Sequence, residues 1–415
     1  MKGIKMAILA LVAAIMFSAC GNTNGGDQAA QTQLLDQSWD EIVSRAEGTT
    51  VHLFMWGGDS GANAYIDDWL APRLKKKYGI TLKRHPMDTA DFIQKLLQEK
   101  RAGKQQGTMD VIWINGINFR NAKKHELLWK PFVSKLPNYQ KYINHEALNV
   151  HYDMGTKIEG LEAPWGKTQF VYIYDSAKMD DPPDSFGELK SWVKAHPGKF
   201  SYPNVHDFTG FTFVKHVLYK AAGENKKAIE KGFNQTWIDE HGGEVWSYLN
   251  AIEPYLWRKG KTYPQSRERL DQLYSKGQVW MTMGFGATRA QSLIQKGVFP
   301  KTTRTFVMSS PGSIGNTNYL SIPFNSPNKA GAMVTINFLE SPEAQLKKLD
   351  PAMWGGNTVL DISKLQEKYQ KKFKNLQRGP SVLSAEKLQS VLLPDLDAGY
   401  AEWIKENWLN EVVQK

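Results

Sequence analysis

The chain has 415 residues, 41% apolar and 23% charged, with a formal net charge of +10, 14 tryptophans and one cysteine. That length exceeds what one hydrophobic core ordinarily fills, so two lobes are expected, and the composition falls in the range of soluble globular proteins. The positive charge is spread along helix-forming stretches such as Arg73–Lys77 and Lys364–Arg378. With no groove pattern of interleaved basic and aromatic residues, this excludes nucleic acid as the expected partner and leaves a loose attraction to anionic membrane surface.

The N-terminus carries an export pattern. Lys2 and Lys5 precede an unbroken apolar run from Met6 to Phe17, and the small residues Ser18 and Ala19 follow it. The run is too short to be a comfortable permanent membrane span. Cys20, the only cysteine, stands directly after it. The arrangement resembles a bacterial lipoprotein signal, in which residues 1–19 are removed and Cys20 is acylated, although Phe17 stands where that motif usually has Leu. Residues 20–37 then form a polar, glycine-containing tether. With Cys20 acylated the folded body holds no thiol, so it needs neither a disulfide nor a reducing compartment.

From residue 50 short apolar runs alternate with amphipathic ones. Val51–Met55, Ile80–Arg84 and Asp110–Ile114 are predicted strands, with helices over Asn63–Tyr78 and Asp91–Arg101 between them. Alternation of this kind predicts a mainly parallel sheet covered on both faces. The pattern restarts with a strand at Gln169–Asp175, and Ser185 and Glu188 form a capping pattern that opens a helix to His196. Lys199–Pro203 is a predicted short strand, followed by helices over roughly 208–222 and 226–259. Gly277–Met283 is another strand, Thr305–Met308 and Asn318–Ile322 are extended, and Asn328–Leu339 is a helix. The remainder is predicted mostly helical, and no internal repeat is visible.

Several catalytic patterns nearly form, and each fails at a defined position. His125-Glu126 and His145-Glu146 both lack the second His of a zinc-protease helix. Gly284-Phe285-Gly286-Ala287-Thr288-Arg289 ends in Arg where a dinucleotide fingerprint needs Gly or Ala, and Pro311 replaces the first Gly of a nucleophile elbow. The nine His are scattered without metal spacing, and carboxylate pairs such as Asp67-Asp68 and Asp180-Asp181 sit in solvent-exposed contexts. No cofactor or metal is implied.

Aromatic, glycine and amide residues do recur just past the predicted strand ends. Trp56-Gly57-Gly58-Asp59-Ser60 follows the first strand, and Asn115 and Asn118 follow the third. Tyr202, with Phe208 nearby, and Phe285 follow strands of the second half. Ligands of open α/β sheets bind outside those ends, where glycines let backbone N–H groups approach. The plain alternative is tight turns needing glycine and aromatics capping each core, and for Trp56 the two weigh equally.

Met55–Gly58, Asp110–Phe119 and Glu162–Val171, with Leu136–Tyr139 and Phe200–Pro203, resemble the YnjB-type solute-binding proteins from about residue 38 onward. Gly277–Met283, Ser326–Ala332 and Asn337–Ala344 look like late segments of many ABC importer binding proteins. The resemblance implies an α/β type II periplasmic-binding fold. It would have a first lobe of 38–165 and 310–415, a second of 166–309, and crossings at Trp165–Tyr174 and Thr305–Ile322. It also implies a monomer that binds a small ligand between the lobes and delivers it to an ABC permease with its ATPase subunit, and no enzyme. Trp165 and Gln169 on the first crossing join the contact candidates named above. The family lies near iron, thiamine and polyamine binders. Adjacent tyrosines, as used by ferric-ion binders, are missing here, and an aromatic- and amide-rich cleft suits an organic ligand with a planar or cationic part. Rival readings are an exported hydrolase with an unrecognised carboxylate site and a lipoprotein with a structural role.

The anchor is directly testable. Cys20→Ala should move the protein from the membrane fraction to a soluble form. A mutant that stays membrane-bound after a salt wash removes Cys20 as the anchor point. One acyl chain holds only marginally, so stable anchoring needs more than one.

Overall fold

The computed structural model describes residues 34–414. The expected signal peptide, Cys20 and most of the tether lie outside them. The tether ends sooner than expected: residues 34–36 form a helical turn, and Leu34 is buried in the first core.

Among the described residues the strands are β1 (Thr50–Met55), β2 (Thr81–Pro86), β3 (Val111–Ile114), β4 (Tyr152–Asp153), β5 (Thr156–Lys157), β6 (Glu162–Asp175), β7 (Met281–Phe285), β8 (Thr303–Phe306), β9 (Ser313–Ser321) and β10 (Leu392–Leu393). The main sheet runs β2-β1-β3-β9-β6-β7, with β8 beside β6 and β10 beside β9.

β6 holds the molecule together. As far as Gln169 it pairs antiparallel with β9, Gln169 lying opposite Gly315. From Phe170 it pairs with β7, and from Tyr172 with β8. It therefore leaves one group of strands and enters another, while β9 runs the opposite way. These are the two expected crossings. The sheet is not mainly parallel as expected. β1–β2, β1–β3 and β9–β10 are parallel, but β3–β9, β6–β9, β6–β7 and β6–β8 are antiparallel. A strand that crosses over and one that returns must point in opposite directions when they pair, and the local strand–helix alternation does not register that.

Two cores flank the crossing. In the first, alternate residues of β1 serve opposite faces of the sheet. Val51, Leu53 and Met55 pack with the helices Trp39–Ala46 and Lys329–Leu339 and with the helix running from Ser60 to Tyr78, which contains a π turn at Tyr65–Leu70. Phe54, Ile112 and Ile114 pack with the helices Thr89–Arg101 and Gly116–Lys124. The second core gathers Phe170–Ile173, the helices Phe186–Ala195, Phe208–Ala222 and Gln235–Ile252, and β7. Leu388, Leu396, Tyr400, Ile404, Trp408 and Val412 also pack there. The chain end, expected with the first lobe through residue 415, thus closes over the second core, because its apolar face matches that helical layer.

Three local expectations also change. Residues 199–203 form no strand: Lys199 and Phe200 give their carbonyls to Trp280 and Trp257 N–H groups, and Pro203 has no N–H to donate. The stretch 226–259 breaks at Gly232, at φ 124, before Asn234 caps a new helix. Ser185 accepts from Glu188 N at 3.2 Å, but the Glu188 carboxylate takes the Asp184 N–H rather than that of Ser185.

His216 braces the crossing from the second core. Its Nδ1 bonds Thr212 O at 2.8 Å, and its Nε2 accepts the Ile314 N–H at 3.0 Å. The ring stands 4.7 Å from Phe170. Burial holds its pKa down to about 3, so it is neutral, as an acceptor at Nε2 requires. His216→Ala should cost about 1–3 kcal/mol of stability in urea unfolding, because the buried Ile314 N–H loses its acceptor. An unchanged midpoint would show that water or a neighbour replaces it.

Candidate ligand cleft

The loops after β1, β3 and β7 and the N-terminus of the helix Phe208–Ala222 lie where the cores meet. After β1, Trp56 is half-buried and Ser60 exposed. Trp56 folds back over Gly58, where a Cβ would run into the indole, and a Cβ at Gly57 would stand 2.7 Å from Pro86. Chain packing by itself therefore requires glycine at both positions. Asp59 caps the helix that begins at Ser60, its Oδ1 accepting from Gly61 and Ala62 N–H groups.

This loop meets the second core's basic residues. The Arg267 guanidinium carbon lies 5.2 Å from the Trp56 ring centroid, and Lys296 Nζ donates to Ser60 Oγ at 3.2 Å. Arg267 N donates to Asp207 Oδ2 at 3.2 Å, and Asp207 also caps the helix Phe208–Ala222 through Thr209 and Gly210 N–H groups. Phe208 is exposed beside Phe285, ring centroids 5.0 Å apart, with Phe211 also 5.0 Å from it. Trp56, Arg267, Asp207, Phe208 and Phe285 therefore form one continuous surface.

The loop after β3 carries two further candidates. Asn115 and Asn118 are half-buried, and Gly116 takes φ 58, a left-handed conformation that suits glycine. The Gly116 N–H donates to the Asp153 carboxyl group. Across from it the buried Lys215, on the helix Phe208–Ala222, pairs with Asp395 and lies 4.9 Å from the Phe211 ring.

Three expected contact residues do not reach this surface. Trp165 is 1% exposed in the first core, edge-on to Trp113 at 5.1 Å. Tyr202 is fully buried, stacked on Phe213 at 4.7 Å, and accepts the Trp408 indole N–H. The buried Gln169 amide is committed to Leu388 O and Ser313 O, tying the crossing to the chain end. Each pairs with segments remote in sequence, which motif reading does not register. Conversely, Arg267, Arg289, Asp207, Asp153 and Lys215 escaped the sequence reading, because isolated charges carry no motif. Arg289 was signalled only as the residue that spoils a dinucleotide pattern. A separate open concavity of about 430 Å3, lined by Tyr139, His145, His151 and Lys157 among others, sits at the β4–β5 hairpin and shares no residue with the cleft.

A family model described as bacterial extracellular solute-binding protein matches residues 69–375. Protein YnjB of Escherichia coli (strain K12) is 34% identical over 374 residues, covering 90% of this chain and 93% of the relative. Two solved structures share the fold at a TM-score of 0.59, each covering 88% of this chain and 98% of its own. They are the spermidine/putrescine ABC transporter substrate-binding protein PotD of Streptococcus pneumoniae, 16% identical, and the periplasmic binding protein AfuA of Actinobacillus pleuropneumoniae, 12% identical.

Asp153 offers a pH test of how the cleft is built. Burial pushes its carboxyl up to about 8, opposed by the Gly116 N–H and reinforced by the nearby Asp395 charge. A carboxyl raised in the folded state favours folding below its unfolded pKa of about 4, and that contribution is lost as pH climbs through the folded value. The stability of the wild type relative to Asp153→Asn should therefore fall between about pH 5 and about pH 8, as read in parallel urea titrations. A flat difference across that range would show that Asp153 is ionised throughout.

Proposed function

This chain belongs to the family of bacterial extracellular solute-binding proteins, and we propose that it is the capture component of an ABC-type importer. It closes two lobes on a small organic solute and presents that solute to a membrane permease driven by a separate ATPase subunit. The strongest support is the crossing pair. β6 and β9 are the long strands shared by both cores, an arrangement suited to hinge bending while each core stays packed. The surface from Trp56 to Phe285 then lies where a solute would be enclosed.

The fold by itself does not choose the solute. One solved neighbour is a spermidine/putrescine ABC transporter substrate-binding protein, and another has fructose-6-phosphate bound. These ligands carry opposite charge, so discrimination rests with the side chains at the strand ends. The family is an exported one, and it is a family of binding proteins, which leaves the hydrolase reading without support. Among the described residues no helix is long and apolar enough to cross a membrane. An acylated Cys20 would hold the body at a membrane surface as a monomer, within reach of its permease.

Native mass spectrometry of freshly purified, never-unfolded protein should reveal a retained, chemically unchanged small molecule. Adding that molecule to stripped protein should lower the radius of gyration in small-angle scattering. An unchanged radius at saturation, or turnover of the molecule, would overturn capture by closure.

A further inference from the structure

Two arginines on the second core's side of the cleft are incompletely paired. Arg267 and Arg289 each begin a helix, Arg267–Ser275 and Arg289–Gln295. Their side chains converge over Gly284, where a Cβ would stand 2.9 Å from Arg267 Cδ and 3.9 Å from Arg289 Nη1. The Arg289 side chain is 10% exposed. Its Nη2 pairs with Asp271, while its buried Nη1 has no hydrogen-bond partner. The Arg267 side chain is 13% exposed. Its Nη2 donates to Glu268 at 2.6 Å, while its buried Nε has no partner.

A buried N–H on a cation without an acceptor is costly, and two cations facing one another in a low-dielectric site add to that cost. Burial, followed by the charge of Arg267, holds Arg289 down at about 9. The acids nearby offset the charge but do not fill the vacancies. Asp271 and Glu268 occupy other nitrogens. Asp207 is taken by three backbone N–H groups, and Asp59 Oδ1 by two. An oxyanion lying between the guanidinium groups would fill both vacancies, since oxygens of one carboxylate or phosphate satisfy several guanidinium donors at once. The Trp56 ring beside Arg267 and the Phe208–Phe285 pair beyond it supply an apolar wall for the rest of such a molecule.

Taking the cleft as the solute site, we propose that Arg267 and Arg289 form an oxyanion subsite, so that the captured solute carries a carboxylate or phosphate group. This departs from the cationic ligand that the aromatic residues suggested, because the two open N–H groups call for an acceptor, which an ammonium group does not offer.

The test titrates the full chain, in buffer free of phosphate, with phenyl phosphate, benzoate and spermidine. The Nε–Hε signal of Arg267 is followed by NMR with labelled arginine, and affinity by calorimetry. At least one of the two oxyanions should shift that signal saturably, and their relative affinities separate phosphate from carboxylate. Spermidine should not shift it. Arg267→Gln, which leaves the Arg289–Asp271 pair in place, should weaken the better oxyanion about tenfold, with the melting temperature of the stripped protein unchanged or raised. If neither oxyanion shifts the signal at millimolar concentration, or if Arg267→Gln binds as well as the wild type, the subsite is wrong. A retained cationic or neutral solute in native mass spectrometry overturns the subsite and leaves capture standing. No retained solute of any charge, with no compaction by any of the three probes, overturns capture itself.

Discussion

The structure depends on two strands passing between cores without losing their hydrogen bonds. A buried backbone N–H or carbonyl must have a partner, and β6 meets this by exchanging partners as it crosses, β9 before Gln169 and β7 and β8 after it. Where the register slips, between Pro164 and Gly166, the Trp165 carbonyl is picked up by side chains. Gln345 Nε2 donates to it at 2.8 Å, and Nζ of the fully buried Lys348 donates to it as well. That irregularity accounts for a lysine in the first core. Burial drives the Lys348 pKa down and that of the equally buried Glu340 up, each tempered by the other's charge.

The same crossing determines where the cleft lies. Because β6 and β9 serve both cores, the loop after β1 meets the second core along a line marked by Trp56 and Arg267. The helix Phe208–Ala222 runs along it, with Asp207 and Phe208 at its start and Lys215 two turns on. Charges tie the two sides together there. Arg120 of the first core reaches Glu402 at 2.6 Å and approaches Asp397 at 3.9 Å, both on the chain end that packs against the second core. Lys215–Asp395 is a second, buried pair beside the Asn115 loop. The Arg120 pairs join the chain end to the first core across the seam between the cores.

Family membership, fold and most element positions were legible in the sequence. The strand Val51–Met55, the helix capped by Asn328 and the restart of alternation near Gln169 follow from periodicity and capping, which are local. So does the Gly-Gly turn after Trp56. Trp165, Tyr202 and Gln169 show where this stops. Each stands in a stretch that resembles the family, yet burial is set by partners far along the chain: Trp113 and Trp354 for the first, Phe213 and Trp408 for the second, Leu388 for the third.

The sequence alone determined most helices, strands and turns and the restart that marks a second core, because patterns of three to fifteen residues encode them, and its resemblance to a known family pointed to export and binding. Only the tertiary structure decided three further things. The long strands pair antiparallel, the C-terminal helix belongs to the second core, and Arg267 and Arg289 stand together over Gly284. The physical reason is the same in each case. Strand direction, the burial of a helix face and the meeting of two charges are relations between segments distant in sequence, and a residue's own type does not record which partner the fold will bring to it.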